Sequence, residues 1–336
     1  MPHVVAAPDK FRGTATAPQV AAAVKRAATA SGWTCDEAPV ADGGEGLLDV
    51  LGGSVRRTRV RGPLGEAVEA EWRMLVPGRS GAIARPTALI EMAQAAGLVV
   101  AGGPEWNDAM RASTAGVGDL IAAAVAARAD RVIVGLGGSA TTDGGLGCLE
   151  ALQPHSRLRG IELIVACDVT TPFVDAAADF APQKGATAAQ VALLGRRLER
   201  LAQLYREDYG VDVTAIPGSG AAGGLAGGLA ALGATLVPGF ELVAELIDLP
   251  ARVGKADLVV TGEGFLDDHS FRGKAVGGVV DLALSAGVPS LVVVGESFGR
   301  QPVASVSLVE RFGRDRAMGE PLACVEEVVA GHLASV

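Results

Sequence analysis

A glycine-rich loop with a single carboxylate directly follows a short apolar run in this chain. Residues 131–134 are Arg-Val-Ile-Val, and residues 135–145 read GLGGSATTDGG. Glycine lets backbone N–H groups come close to an anion because no Cβ blocks the approach, and Ser and Thr hydroxyls add donors. Asp143 would repel a phosphate unless a cation lies between the two or the carboxylate handles a proton. The loop therefore indicates phosphoryl-transfer chemistry.

Further loops that combine glycine with charge follow other predicted strands. Ligands of open α/β sheets bind where strands end and loops lead into helices, so we expect these carboxylates near one edge. The carboxylates are Asp9, Asp42, Glu45, Asp143, Asp168 and Glu263. Ordinary local roles stay open for several of them, since Asp143 also suits a helix N-cap and Asp9 and Asp42 also suit Asx turns. Glu263 between two glycines also suits a turn, and Lys184 also suits an exposed loop.

The composition favours a cytoplasmic enzyme that acts on small molecules. The chain has 336 residues with a formal net charge of −9 and no run of Lys and Arg, so nucleic acid is not an expected partner. We find neither a signal-peptide pattern nor an apolar run long enough to span a membrane. The four cysteines are far apart in apolar surroundings, which predicts buried free thiols rather than a metal site. Nothing in the composition indicates an oligomeric state.

The chain alternates between predicted strands and helices on either side of a different central segment. Residues 3–7 and 35–40 read as strands, and Thr16 caps a predicted helix over 16–30. Two alternating segments, 57–61 and 69–74, are separated by Gly-Pro-Leu-Gly and predict an antiparallel hairpin. The alternation of strands and helices then resumes. The later predicted strands are 131–135, 161–166, 257–260, 289–294 and 305–309, and the later predicted helices are 113–129, 143–152, 187–205, 273–286 and 322–333.

This order predicts an α/β fold with two three-layer α/β/α domains. One domain is Rossmann-like with a mostly parallel sheet, and the other has a mixed sheet and is inserted into the first. We place the discontinuous first domain at residues 1–55 plus about 255–336, and the inserted domain at about 56–254. The active site is expected in the cleft between them.

Two other function classes compete with phosphoryl transfer at this stage. Residues 135–140 fit G-x-G-x-x-A after a strand, which is a dinucleotide fingerprint and predicts an oxidoreductase. The continuation Thr-Thr-Asp-Gly-Gly delays the helix, however, and no clear acidic residue follows at a strand end about 20 positions later. A non-catalytic sensor of a sugar acid or a nucleotide is the other alternative. Neither a Walker A sequence nor the protein-kinase signatures are present, so a kinase here needs a separate architecture.

The motifs taken together resemble the bacterial type I glycerate kinase family over nearly the whole chain. Seven segments in order carry the resemblance: APDKFRG (7–13), ADGGEG (41–46), GGSATTDGG (137–145), ACDV (166–169), PQKGA (182–186), GSGAAGG (218–224) and TGEG (261–264). One departure is visible, because many members have Arg where this chain has Phe265. Arg272 or Lys274 is available to replace that cation.

The resemblance implies ATP-dependent phosphorylation of D-glycerate with Mg²⁺, in glyoxylate or sugar-acid catabolism. It favours the 2-phosphate product over the 3-phosphate, although glycerate offers both hydroxyls. It also implies the two-domain fold given above, with the small-molecule substrate bound in the cleft.

We assign expected roles to the motif residues on this basis. Asp42, Asp9 and Lys10 are the expected catalytic residues. The residues expected to bind glycerate are Arg12, Gly43, Gly44 and Glu45. Arg12 and Lys10 are expected to hold its carboxylate. Nucleotide and phosphate contacts are expected at Gly137, Gly138, Ser139, Thr141, Gly218, Ser219, Gly220, Gly223, Gly224, Lys184 and Lys274. Mg²⁺ is expected at Asp168, Glu263 or Asp143.

Overall fold

A computed structural model describes residues 1–11, 13–78, 83–266, 275–298 and 303–335. The chain divides into two compact units that exchange short segments. Unit 1 comprises Met1–Asp42, Asp49–Leu51 and Phe240–Val336, and unit 2 comprises Gly43–Leu48 and Gly52–Gly239. Unit 2 is therefore inserted in sequence between the two long segments of unit 1.

The described residues form thirteen strands of two to nine residues. In chain order they are β1 (His3–Ala6), β2 (Thr34–Glu37), β3 (Ser54–Arg61), β4 (Ala67–Leu75), β5 (Thr87–Glu91), β6 (Arg131–Gly135), β7 (Glu162–Ala166), β8 (Thr235–Val237), β9 (Leu258–Thr261), β10 (Phe265–Leu266), β11 (Ser290–Val294), β12 (Glu296–Ser297) and β13 (Ser305–Ser307).

More than half of the helices are preceded by a glycine, threonine or serine at the N-cap, and those that begin at Ala17, Leu249 and Pro321 have proline in the first turn. The helices are α1 (Ala17–Ala30), α2 (Leu47–Leu51), α3 (Ala93–Ala96), α4 (Ala115–Ala126), α5 (Leu146–Ala151), α6 (Ala176–Phe180), α7 (Ala188–Tyr209), α8 (Ala221–Ala231), α9 (Gly239–Leu246), α10 (Leu249–Val253), α11 (Ala275–Ala286), α12 (Leu308–Phe312), α13 (Arg314–Gly319) and α14 (Pro321–Leu333). Thr16 caps α1 in a capping box with Gln19, as the sequence predicts for Thr16.

Unit 1 contains a five-stranded parallel sheet in the order β13-β11-β9-β1-β2. Alternate residues of its strands face two different apolar clusters, because side chains of a strand point to opposite faces. One cluster joins Val4 and Val260 to α1 and α14. The other joins Val5 and Val259 to α10 and α11. The sheet is thus covered by helices on both faces, as parallel sheets require.

Unit 2 contains a six-stranded mixed sheet in the order β3-β4-β5-β6-β7-β8. Strands β3, β4 and β5 pair antiparallel, which confirms the predicted hairpin, and β5 to β8 are parallel. Helices α4, α5 and α8 pack on one face through a buried cluster that includes Leu120, Cys148 and Leu225. The predicted fold class, α/β with one mostly parallel and one mixed sheet in two domains, is confirmed.

The structure also tests several smaller predictions. All four cysteines are free, and three of them are buried, while Cys35 is half-buried. The predicted helix over 143–152 is shorter, because α5 starts at Leu146 after two glycines with positive φ. Strand β5 was not predicted from sequence. None of the helices in the described part of the chain combines the length and apolar character needed to cross a bilayer.

Candidate active site

The parallel half of the mixed sheet brings four strand ends of unit 2 to one edge. Strands β5, β6, β7 and β8 run in the same direction, so the residues that follow them lie side by side. Glu91 ends β5, Gly135 ends β6, Asp168 follows β7 and Gly239 follows β8. Asp168 and the loop after Gly135 therefore follow neighbouring strands, as the sequence predicts.

The segment Gly43–Leu48 lies against this edge at a distance that excludes side chains. A Cβ added to Gly135 would lie 2.5 Å from the carbonyl oxygen of Gly43, and one added to Gly43 would lie 2.5 Å from Cα of Gly239. A Cβ added to Gly138 would lie 2.2 Å from Oε1 of Glu45. The expected substrate-binding residues Gly43, Gly44 and Glu45 are thus packed against the expected phosphate-binding loop.

Glu91 anchors this segment and was missed by the sequence analysis. Its Oε1 accepts hydrogen bonds from the backbone N–H groups of Gly46 at 2.8 Å and of Leu48 at 3.0 Å. The side chain is buried, and a carboxylate at the start of α2 also satisfies N–H groups that have no partner inside the helix. A signal existed in the sequence, because the short apolar run at residues 88–90 precedes a carboxylate, as strand β7 precedes Asp168.

The loop that follows β6 presents unpaired donors at Gly137, Gly138 and Ser139. Its shape is fixed by backbone hydrogen bonds from Leu98 N to Gly138 O, 2.7 Å, and from Ala140 N to Ala96 O, 2.9 Å. Within the described part of the chain, the backbone N–H groups of 137–139 donate to no other residue. These three residues are half-buried or exposed. Consecutive free N–H groups of this kind form an anion-binding concavity.

Lys184 is buried beneath this loop, which corrects the simpler expectation of an exposed loop lysine. Its Nζ donates to Ser139 Oγ and to the carbonyl oxygen of Thr141, each at 2.7 Å, and the residue is 2% exposed. Burial lowers the pKa of Lys184 to about 7, against a smaller opposing effect of Asp143. Lys184 therefore contacts two residues that the sequence analysis placed around the phosphates.

Asp143 is held in a fully satisfied position at the start of α5. Its Oδ2 accepts from the backbone N and Oγ1 of Thr114 at 2.8 and 2.9 Å and from Gly147 N at 3.3 Å. Its Oδ1 accepts from Gly145 N at 3.1 Å. Of its two expected roles, this geometry favours the structural one, because four donors already occupy the carboxylate.

Asp168 is the better placed of the expected metal ligands in unit 2. It is half-buried, and its Oδ1 accepts from the backbone N–H of Gly239 at 2.7 Å. Among the residues that the structure describes, no group of three or more His, Cys, Asp or Glu side chains is arranged to hold a metal ion. Mg²⁺ commonly needs only one or two carboxylates together with phosphate oxygens and water, so the donor set around Asp168 fits it.

The second glycine-rich segment, 218–228, is packed against the first. A Cβ on Gly223 would lie 2.0 Å from Thr141 O, one on Gly220 would lie 2.4 Å from Pro172 O, and one on Gly224 would lie 2.8 Å from Cα of Gly144. A Cβ on Gly218 would lie 2.7 Å from Val169 O. Ser219 is fully buried, and its hydroxyl has no hydrogen-bond partner among the described residues. Close packing accounts for these glycines, and a phosphate-binding role for them stays a prediction.

Unit 1 groups the expected catalytic residues at the carboxyl edge of its own sheet. Nζ of Lys10 lies 3.8 Å from Oδ1 of Asp9 and 3.8 Å from Oδ1 of Asp42. Asp9 is 6% exposed, whereas the side chain of Asp42 is 37% exposed. The loop that carries Glu263 is tied to the same edge by hydrogen bonds from Asp9 N to Gly262 O and from Gly264 N to Lys10 O.

Two expected site residues, Arg12 and Lys274, lie outside the described residues. Arg272, which was considered as a replacement cation, lies outside them too. Phe265, where the resemblance leads one to expect Arg, is 42% exposed, and its ring stacks on Phe298 with 6.3 Å between centroids.

Comparisons with known proteins show the family to which the chain is similar. The model of the "Glycerate kinase family" matches residues 4–155 and 152–309. The chain is 37% identical to a glycerate kinase of Halalkalibacterium halodurans over 88% of this chain and 86% of that protein. It is 34% identical to glycerate 2-kinase of Escherichia coli over 87% of this chain and 84% of that protein.

A solved structure extends the similarity to three dimensions. The crystal structure of a Salmonella typhimurium protein, provisionally described as glycerate kinase 2, superposes with a TM-score of 0.84 at 31% identity. The match covers 99% of this chain and 98% of that one. The family match and these relatives together show that the chain belongs to the glycerate kinase family and is a kinase.

Proposed function

We propose that this kinase transfers the γ-phosphate of ATP to the 2-hydroxyl of D-glycerate and releases 2-phosphoglycerate and ADP. The 2-position is supported by the name of the Escherichia coli relative, glycerate 2-kinase, at 34% identity. The observation that supports the nucleotide part is a run of backbone N–H groups, at Gly137, Gly138 and Ser139, that donate to no acceptor among the described residues. The run follows β6, beside the loop that carries Asp168.

Phosphate oxygens would accept hydrogen bonds from these three N–H groups. The glycines at 137 and 138 leave no Cβ between the backbone and the anion. Fixed donors of this kind stabilise charge that develops on the transferred phosphoryl group without reorganising during the reaction. The segment Gly218–Gly224 then acts indirectly, by supporting the loop from behind.

Asp168 is the proposed ligand for Mg²⁺, with Glu263 as the alternative. Mg²⁺, when bound with the nucleotide, neutralises phosphate charge. Asp143 is proposed to act as a structural cap instead, since its oxygens already accept four hydrogen bonds.

Asp42 is proposed to accept the proton of the attacking hydroxyl. It is more accessible than Asp9, whose Oδ1 accepts a hydrogen bond from Lys10 N at 2.6 Å. Lys10 Nζ lies 3.8 Å from an oxygen of each carboxylate, so it can orient both beside the attacking hydroxyl. Asp9 is proposed to position Lys10.

Recognition of the glycerate carboxylate is assigned to Arg12 and Lys10, together with Gly43, Gly44 and Glu45. Arginine suits a carboxylate because its planar guanidinium donates two parallel hydrogen bonds. Lys274 is proposed to contact the phosphates. The assignments of Arg12 and Lys274 rest on the resemblance to the family.

A coupled assay of ADP release with D-glycerate, ATP and Mg²⁺ tests the proposed reaction. Phosphorus NMR of the product then distinguishes the 2-phosphate from the 3-phosphate. The variant Asp42→Asn should fold normally and lose about 10²-fold or more in kcat, while Asp281→Asn, on the exposed surface of α11, should be unaffected. Failure of the wild-type protein to release ADP with D-glycerate, or turnover of Asp42→Asn near the wild-type rate, would contradict the respective assignment.

A further inference from the structure

Lys184 is a buried residue whose side-chain hydrogen bonds both go to the candidate phosphate-binding loop. Its two side-chain hydrogen bonds go to Ser139 Oγ and Thr141 O, and its own carbonyl oxygen accepts from Nδ2 of Asn107 at 2.8 Å. The same Asn107 amide nitrogen lies 3.0 Å from Ala140 O. Lys184 and Asn107 thus hold three consecutive residues of the loop, 139–141, of which Ser139 is the last residue of the N–H run at 137–139.

The surroundings of Lys184 contain little that would compensate its charge. The ring of Phe180 lies 6.0 Å from Nζ, and the oxygen partners are a neutral hydroxyl and a neutral carbonyl. The elements around it also carry charged groups, namely Asp108, Asp143, Asp179 and Arg197. Of these, Asp143 is the one that acts on the pKa of Lys184.

Burying a protonated lysine without a nearby negative charge destabilises the folded protein, and a bound anion would offset this cost. Moving an ammonium group out of water is strongly unfavourable, so such a group loses its proton more readily than an exposed lysine. An anion bound to the N–H groups at 137–139 would stabilise the protonated form, because opposite charges nearby favour ionisation.

We propose that Lys184 is the positioning residue of the phosphate-binding loop and that it takes up a proton from solvent when the nucleotide binds. The inference rests on the proposed function, since it requires phosphates at 137–139. Lys184 does not contact the substrate in this assignment; it holds Ser139 and Thr141 in place and supplies positive charge behind the loop.

Calorimetric titration with ADP and Mg²⁺ tests this proposal without turnover. In the wild-type protein we expect the Kd for ADP to rise at least about fivefold between pH 7 and pH 9, because the free protein loses the Lys184 proton in this range while ADP keeps its charge. Titrations at pH 8 in buffers of different ionisation enthalpy should show uptake of a fraction of a proton approaching one.

Two variants separate the charge of Lys184 from its packing. Lys184→Met keeps an unbranched side chain without charge or donors, and it should bind ADP about tenfold more weakly at pH 7 with little dependence on pH. Lys184→Arg keeps a permanent charge and should bind ADP without the loss of affinity between pH 7 and pH 9. Lys255→Met, at an exposed position, should match the wild-type protein in every measurement.

The outcomes distinguish this inference from the proposed function. Wild-type affinity for ADP in Lys184→Met, or a wild-type Kd that does not change with pH and shows no proton uptake, would overturn the role of Lys184 while leaving the kinase assignment intact. Absence of ADP binding by the wild-type protein, together with no turnover of D-glycerate, would remove both.

Discussion

Two glycine-rich segments of unit 2 look alike in sequence and differ in what their glycines do. In the first, residues 135–139, Gly137 and Gly138 leave backbone N–H groups without a partner among the described residues. In the second, residues 218–228, the space that side chains would occupy is filled by carbonyl groups and by the ring of Phe173, which lies 2.3 Å from a Cβ placed on Gly227.

The difference teaches that glycine content alone does not distinguish an anion site from a tightly packed turn. The first segment follows a strand end, and Gly135 and Gly138 also pack closely, against Gly43 and Glu45. Its N–H groups at 137–139 nevertheless have no acceptor among the described residues. The second segment lies behind it, and Gly223 both accepts a backbone hydrogen bond from Gly144 and approaches Thr141. The second segment therefore helps to set the shape of the first through close backbone packing.

The largest expected effect on stability comes from adding a side chain to the second segment. Gly223→Ala would place a Cβ 2.0 Å from Thr141 O, at a φ of +68° that L-residues seldom adopt. We expect a loss of about 5 kcal/mol in the free energy of unfolding, because a backbone group must move. Gly195→Ala is the matched control: its Cβ meets nothing within 4 Å on helix α7, so it should stabilise by about 0.5–1 kcal/mol. Chemical denaturation measures both, and a Gly223→Ala variant as stable as the wild-type protein would break the comparison.

The next largest effect on stability distinguishes Asp143 from Asp168, two carboxylates that the sequence analysis proposed as Mg²⁺ ligands. Asp143→Ala leaves Thr114 and the N–H groups of Gly145 and Gly147 without an acceptor, so we expect a loss of about 3 kcal/mol in stability. Asp168→Asn, which removes charge and keeps the shape, should lose less than about 1 kcal/mol and most of the activity. A stable Asp143→Ala protein that has lost only Mg²⁺-dependent activity would reverse these two assignments.

The sequence predicts the order of most strands and helices because apolar periodicity and caps are local signals. The hairpin of β3 and β4, the capped start of α1 and the succession of strand-end loops all follow from residues close in sequence. The sequence also predicts correctly that three of the loops expected to carry chemistry follow strands. These loops begin directly after the last residues of β6, β7 and β9.

The roles of individual residues were harder to predict because they depend on distant partners. Whether Asp143 caps a helix or holds a metal depends on Thr114, which lies 29 residues away. Lys184 is buried rather than exposed because Ser139, 45 residues away, accepts its hydrogen bond. The packing role of Gly224 and Gly227 depends on Phe173, and no local pattern contains that information.

A smaller effect on stability depends on pH and comes from Lys184, the buried residue that supports the first segment. The pKa of Lys184 is about 7 in the folded protein and 10.5 as an ordinary value, so between these limits the unfolded chain binds more protons. The stability of the wild-type protein relative to Lys184→Met should therefore rise with pH, by about 1 kcal/mol per unit from pH 7.5 to pH 9.5. Below pH 7 both states carry the proton, and the difference should level off. Urea denaturation of both proteins across this range measures the slope, and a flat difference would show that Lys184 keeps its proton when buried.

The smallest expected effect on stability comes from adding a side chain to the first segment. A Cβ on Gly137 would lie 3.1 Å from Glu45 N and from Cα of Gly44, so a shift of a few tenths of an ångström accommodates it. We expect Gly137→Ala to lose about 1 kcal/mol or less in stability. The new methyl group would stand beside the N–H groups of 137–139, so the Kd for ADP should rise about fivefold or more. The KM for D-glycerate should rise less, because Gly44 and Glu45 need to shift by only a few tenths of an ångström. Calorimetry and steady-state kinetics, with Gly195→Ala as the control, measure the two effects. Unchanged ADP affinity in a normally folded Gly137→Ala protein would mean that the first segment, like the second, has its glycines for packing alone.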